Sequence, residues 1–295
     1  MISICIPIYN FQVCNLVAEL HKQAEQLKIV YEIICIDDSS EKKWVEKNEC
    51  LNGHVNVRYY QLKSNIGRSK IRNLMAEKSK YDYLLYLDCD SAIISDNFLS
   101  KFIGIQQVSN VVYGGRTHGN KRPENNSLSL RWLYGIKRED KTIADRELDP
   151  YLSFRSNNFL IHKATFQSIK FNELFKGYGH EDTYFAQELK EKNIPIVHVN
   201  NPILHVGLEN NEEFLNKTKE GIKNLTHLLN SNTTLINDIR LIKTYKKVKK
   251  YKLSFLFKLS HPFLIKFLTK KLLSSNPKLI YLDIYKLTIL IHHLK

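Results

Sequence analysis

The apolar and polar positions alternate between two periods along the first two hundred residues. Ile2 to Ile8 is a short apolar run, followed from Val13 to Leu27 by apolar positions at helical spacing: Val13, Leu16, Val17, Leu20, Ala24 and Leu27. Tyr31 to Ile36 and Val55 to Leu62 predict two further strands, and Ser64-Asn65-Ile66-Gly67 opens a helix through about Ser79. Leu84-Leu85-Tyr86-Leu87 is a fourth apolar run, then a helix is expected over about 96–108 and a strand at Val111 to Gly114. Strand and helix in alternation predict a parallel sheet with right-handed crossovers. Beyond it, 116–155 is polar and charged and predicts a long loop of the kind used as a lid. Strands follow at Asn157 to His162, Ile194 to Val199 and Pro202 to Gly207, with a helix from Glu181 to about Lys192. Glu212 to Leu229 reads as an amphipathic helix.

Charge divides the chain. The net charge is +14 over 295 residues, yet the first 240 residues carry 31 basic and 29 acidic side chains. From Leu241 onward there are thirteen lysines and one acid, Asp283, with Phe- and Leu-rich blocks between them. Basic helices with such blocks suit either an anionic membrane surface or packing on the preceding domain. A tail without arginine or a recognisable motif argues against nucleic acid. No uninterrupted apolar run of 18 residues predicts a membrane span. The five cysteines lie in the first third without C-x-x-C spacing; Cys5, Cys35 and Cys89 read as free buried thiols. Met1 leads straight into a strand, so no secretory leader is expected. The expected place is the cytoplasm, on the inner face of the cell membrane if the basic tail meets lipid and free of it if the tail packs on the preceding domain.

Acids end two of the buried strands. Asp88 and Asp90 close the fourth apolar run, where alternate residues of an extended chain can aim at one point. Two carboxylates aimed together call for a cation, and oxygen ligands suit Mg²⁺ or Mn²⁺. Taken alone, the pair reads more readily as a strand entering an acidic turn. Asp37-Asp38 ends the second strand and is open to the same two readings: a contact to ribose or base, or a turn with a helix cap at Ser39 or Ser40. Arg72 follows Gly67 by one and a half turns, placed either to hold a phosphate or base or to lie on a solvated face. No P-loop or dinucleotide glycine pattern occurs. Glu181-Asp182, after Gly177-Tyr178-Gly179, sits in the first turn of a helix, where the dipole favours acids and where a carboxylate can also act as a base. His205 is either a core histidine or a ligand, and His198 reads as core.

Four collinear motifs carry a resemblance: Pro7-x-Tyr9-Asn10, Asp37-Asp38-Ser39-Ser40, Asn65-x-Gly67 with Arg72-Asn73, and Asp88-x-Asp90. Together they resemble family 2 glycosyltransferases of the GT-A fold. The resemblance implies an α/β fold with a Rossmann-like, mostly parallel central sheet flanked by helices. Residues 1–210 would be catalytic, with 1–115 the nucleotide-sugar half and 116–210 the acceptor half, and 211–295 a helical, Lys-rich extension. It implies an inverting enzyme that takes a UDP-sugar donor and a glycan or lipid-linked glycan acceptor. Pro7, Tyr9, Asn10, Asp38, Asn65, Arg72 and Asp88 would then bind donor. Asp90, His205 and Asp88 would hold Mn²⁺ or Mg²⁺. Asp182 would be the general base, with Glu181, Tyr178 and Asn158 at the acceptor. Two alternatives stay open: an inactive scaffold that keeps the fold, and nucleotidyl transfer. The latter would want a glycine-rich loop where Pro7-Ile8-Tyr9-Asn10 stands.

Overall fold

A computed structural model describes residues 1–106, 108–175, 177–229 and 238–294. The parts of the expected helices and tail that fall on Gln107, Lys176, 230–237 and Lys295 lie outside the described residues. The chain forms two compact units, one of 1–118, 140–174 and 181–207 and the other of 119–139, 175–180 and 208–295.

The first unit is built on a seven-stranded sheet. Its strands are β1 (Ile2–Ile8), β2 (Tyr31–Asp37), β3 (Val57–Gln61), β4 (Tyr83–Leu87), β6 (Val111–Tyr113), β8 (Asn158–His162) and β9 (Val197–His198). A three-stranded sheet is made by β5 (Ser91–Ile93), β7 (Arg116–Thr117) and β10 (Ile203–His205). The large sheet runs β3-β2-β1-β4-β8-β6-β9. All its pairings are parallel except the two that β8 makes, to β4 and β6. This is the mostly parallel sheet that the resemblance implies; the strand–helix alternation alone predicts a parallel one, and β8 is the exception. Every residue of β2 is buried, and so are Leu84 to Leu87 of β4, as strands covered on both faces require.

Pro7 lies inside β1 without breaking it. Ile2 and Ile8 bond toward β2, through Val30 O and Asp38 N, so odd-numbered residues face β4. The β1–β4 pairing spans only Ser3 to Cys5. Pro7 therefore lacks its N–H at a place where no ladder bond is lost.

The helices of this unit are α1 (Cys14–Gln26), α2 (Lys42–Lys47), α3 (Arg68–Lys78), α4 (Phe98–Ile105), α6 (Ile143–Glu147), α7 (Pro150–Ser153), α8 (Lys163–Ile169) and α9 (Glu181–Glu191). α1 buries Leu16, Val17, Leu20 and Ala24, the stripe expected from its spacing. Its buried Gln23 donates to Ser95 O (2.9 Å) and accepts from Leu99 N (3.0 Å), which ties α1 to the start of α4. α9 is anchored by an aromatic cluster. Phe185 stacks on Phe171 at 4.3 Å between centroids and packs with Phe154, Phe159 and Phe166, while Tyr86 of β4 stacks on Phe159 at 4.9 Å. Aromatic packing of this density holds the first turn of α9 at a fixed distance from the sheet.

The structure departs from the sequence reading in three places. The polar stretch 116–155 is not a bare loop: it contains β7, α6 and α7 in this unit and α5 (Ser129–Tyr134) in the other. Elements of two to six residues are too short to show a period. Cys14 and Cys50 are joined as a disulfide across 36 residues. Cys5 and Cys35 are free and buried, as expected, whereas Cys89 is only half-buried.

The second unit comprises α5, the 175–180 turn, and α10 (Asn211–Leu229), α11 (Arg240–Lys250), α12 (Ser254–Leu272) and α13 (Leu279–His293). α13 packs against α5, α10, α11 and α12. Arg131 of α5 is buried and pairs with Glu139 (2.9 Å) and Glu209 (3.0 Å). Burial opposes ionisation of Glu209, but Arg131 and Lys217 hold its carboxyl below the usual range. Among the described residues no helix is long and apolar enough to cross a membrane.

Candidate active site

The carboxyl ends of β1, β2 and β4 carry the expected donor residues. At the end of β2, Asp38 Oδ1 accepts from Ile66 N (2.7 Å) and Oδ2 from Gly67 N (3.0 Å), while Asn65 Nδ2 donates to Asp38 O (3.1 Å). The acid thus closes the turn that starts α3, where Gly67 has φ +85°. Burial pushes the Asp38 carboxyl up, against the two backbone donors. Each oxygen retains a second lone pair for a ligand donor. Asn10 belongs to the neighbouring loop: its N donates to Ser40 Oγ (2.8 Å) and its Oδ1 accepts from Glu41 N (2.9 Å). Asn10 and Ser39 both take left-handed backbone, with φ +50° and +66°. Strained residues on adjacent strand ends mark the rim of a site. Tyr9 and Asn65 are exposed there, and Pro7 is half-buried.

At the end of β4 the two acids of the D-x-D pair separate. Asp88 Oδ1 accepts from the buried Arg72 (2.7 Å), and Arg116 approaches Oδ2 at 3.8 Å. Asp90 turns instead to His205, whose Nε2 lies 2.9 Å from Asp90 Oδ2. Asp90 Oδ1 is buried with no hydrogen-bond partner. Burial works against its charge, but the His205 hydrogen bond and charge, with Arg116 and Arg68, hold the carboxyl well below the usual range. Among the described residues no cluster of three His, Cys, Asp or Glu assembles. Two protein donors and an orphaned carboxylate oxygen fit Mg²⁺ or Mn²⁺, which take one or two carboxylates and complete their shell with substrate phosphates and water. Asp88 stands with the arginines rather than with that pair.

Antiparallel pairing of β5 with β10 sets Ser91 opposite His205 and so brings His205 to Asp90. Val206 N donates to Asp90 O (2.9 Å), and a Cβ on Gly207 would come 2.6 Å from Asp90 Cβ. Gly207→Ala is therefore expected to displace Asp90 and lower activity roughly 10²-fold, the cost of a misplacement near 1 Å. Gly53→Ala, whose added methyl meets nothing within 4 Å, is the control in the same assay and should leave the rate unchanged.

α9 presents its two acids at its first turn. Glu181 is buried and accepts from Arg68 (3.3 Å). Asp182 Oδ1 accepts from Thr183 N (2.7 Å), and Arg155 Nε lies 3.7 Å from Oδ2. Arg68 and Arg72 come from one face of α3, four residues apart, so that helix links Glu181 to Asp88.

Asn158 takes a different role from the expected acceptor contact. It is fully buried, and its Nδ2 donates to Gly115 O (2.9 Å) and Asn201 O (2.8 Å). Both donors of the amide are spent on bracing the loop after β6. Tyr178 lies in the second unit, where its carbonyl accepts from Asn224 (3.1 Å) and Lys217 lies over its ring at 5.6 Å. His198 is a core residue: Nε2 meets Pro150 O at 3.1 Å, and burial pushes its pKa down to about 4.

Sequence reasoning missed Arg68, Arg116, His118 and Asp140. The His118 ring meets His205 edge-on at 5.0 Å, and its Nδ1 lies 2.6 Å from Asp140 Oδ1. Asp140 Oδ2 also accepts from His118 N (2.9 Å). The Asp140 carboxylate thus fixes the orientation of the His118 ring that packs against His205. All four fall among dense charges or on polar stretches, with no pattern to single them out.

The sequence profile of glycosyl transferase family 2 matches residues 3–169. A Haemophilus influenzae protein described as an uncharacterized glycosyltransferase is 29% identical over 198 residues, 65% of this chain and 72% of that one. Among solved structures, S. aureus TarS 1-349 is 18% identical and aligns over 98% of this chain and 88% of its own, with a TM-score of 0.54. The same protein in complex with UDP-GlcNAc aligns over 76% and 66%, with a TM-score of 0.50. At this identity the likeness is one of fold, and the chain spans 39% of the longer TarS chain it matches. The profile covers more than half of the sequence, including every motif from the end of β1 to the D-x-D pair, and on that ground the chain belongs to glycosyl transferase family 2.

Proposed function

We propose that the chain is an inverting glycosyltransferase that moves a sugar from a UDP-sugar to a hydroxyl of a glycan or lipid-linked glycan. The observation that carries this reading is that one helix, α3, ties the two acidic ends together: its Arg68 pairs with Glu181 at the start of α9, and its Arg72 with Asp88, two residues before the Asp90 that meets His205. Asp38 and the loops bearing Tyr9, Asn10 and Asn65 receive the uridine, and Asp88 takes the ribose side. Asp90 and His205 hold Mn²⁺ or Mg²⁺, which when bound offsets charge on the diphosphate. Arg116 and Arg68 add positive charge at the same place.

Asp182 accepts the proton of the acceptor hydroxyl. The hydroxyl oxygen bonds to the anomeric carbon from the face opposite the diphosphate, and the bond to the diphosphate oxygen breaks, carrying its electron pair onto UDP. One displacement inverts the anomeric centre. Glu181, pinned by Arg68, orients the acceptor rather than sharing the proton.

Release of UDP from a panel of UDP-sugars, with and without Mn²⁺, tests the reading. Turnover of one donor that needs the metal is expected. Folded protein that neither binds nor turns over any of them overturns it.

A further inference from the structure

Helix α12 is apolar on two opposite sides. At 100° per residue, Leu268 and Leu272 fall on one side and are buried, with Leu264 and Ile265 half-buried beside them. That side packs against α13. Phe255, Leu259 and Phe263 fall on the other side and are 63%, 78% and 81% exposed, with Leu256 and Phe267 about half exposed along its margin. A helix that is hydrophobic all round is ordinarily buried all round. Here an aromatic and aliphatic stripe roughly 18 Å long stands in solvent. Exposed apolar patches of this kind mark interaction sites.

Charge identifies the occupant. At helical spacing Lys266 and Lys270 fall on the side of the stripe, and Lys258 borders it. No acid occurs between Asp238 and Asp283. A second copy of the chain would set lysine against lysine with no carboxylate to pair. A nucleic acid would leave Phe255, Leu259 and Phe263 against a charged backbone. An anionic bilayer surface satisfies both parts, since phosphates meet the ammonium groups and acyl chains take the apolar side chains. Lysine stems can lie along the apolar surface and still reach the headgroups.

We propose that the outer face of α12 docks on an anionic lipid surface with the helix in the membrane plane. Phe255, Leu259 and Phe263 enter the acyl boundary, and Lys258, Lys266 and Lys270 contact lipid phosphates. No sugar nucleotide takes part in this contact.

Co-sedimentation of the full chain with vesicles of phosphatidylcholine, with and without phosphatidylglycerol, tests it. Binding to the mixed vesicles is expected, at least tenfold tighter than to neutral ones and weakened by salt. Lys258→Gln, Lys266→Gln and Lys270→Gln should each cost roughly fivefold in vesicle affinity. The triple variant Phe255→Ser, Leu259→Ser, Phe263→Ser should lose roughly a hundredfold or more while keeping the circular dichroism of the parent. Failure of the parent chain to bind anionic vesicles overturns the proposal. So does equal binding by the folded triple variant, or self-association of the parent in solution that the same variant abolishes. Measured UDP release is a separate readout, so loss of vesicle binding would leave the transfer reading standing.

Discussion

Asp182→Asn is expected to lower sugar transfer roughly 10²–10⁴-fold, the range over which a positioned general base contributes. The substitution keeps the shape of the side chain. An asparagine oxygen can still accept from Thr183 N, and the first turn of α9 stays capped. What disappears is a carboxylate able to take a proton, now poised with Oδ2 toward Arg155. Donor affinity should stay within about twofold, because the residues proposed to bind donor lie on the strand ends and α3, away from Asp182. A purely structural role for Asp182 at the helix N-terminus predicts a different outcome: about 0.3–1 kcal/mol of stability lost, and transfer unchanged. Transfer rate, UDP affinity and thermal midpoint measured on one preparation separate the two. A rate within tenfold of the parent would remove Asp182 from the base role.

The catalytic reading draws on residues that differ in how far the sequence reveals them. Asp38, Asp88 and Asp90 were legible because each ends an apolar run, and the carboxyl edge of a parallel sheet is where such a run delivers its last residues. Arg72 was legible as a cation at a fixed offset from Gly67, although its burial against Asp88 was not. Strand direction carries no local signal, so nothing in Asn157 to His162 shows that β8 runs antiparallel to β4 and β6. That reversal buries Asn158 beneath Gly114 and turns an apparent acceptor residue into a brace. The Asp140–His118–His205 arrangement is hidden for another reason. Its members are separated by 22 and 87 positions, and the first two lie on a stretch whose short elements show no period. The Cys14–Cys50 bridge is equally non-local.

The helical tail shows the opposite case. Its lysine bias is visible at once in the sequence, but not which face of α12 is covered. Only the packing of Leu268 and Leu272 toward α13 shows that Phe255, Leu259 and Phe263 are left outside.

Asp90→Asn is expected to cost transfer about 10³-fold, and with it the Mn²⁺ dependence of UDP binding. A metal at the diphosphate stabilises the transition state by several kcal/mol, and about 1.4 kcal/mol corresponds to each factor of ten. The asparagine can keep a hydrogen bond to His205 Nε2, so the approach of β10 to β5 should hold and the thermal midpoint should move little. Asp88→Asn provides the contrast. It takes the charge from the partner of the buried Arg72, so it should lower stability measurably as well as weaken the donor. Calorimetric titration of UDP with and without Mn²⁺, on both variants, reads the difference directly. Should Asp90→Asn retain Mn²⁺-dependent UDP binding within twofold of the parent, the orphaned Oδ1 beside His205 is not a metal ligand, and the donor diphosphate must be held by Arg68, Arg72 and Arg116 alone.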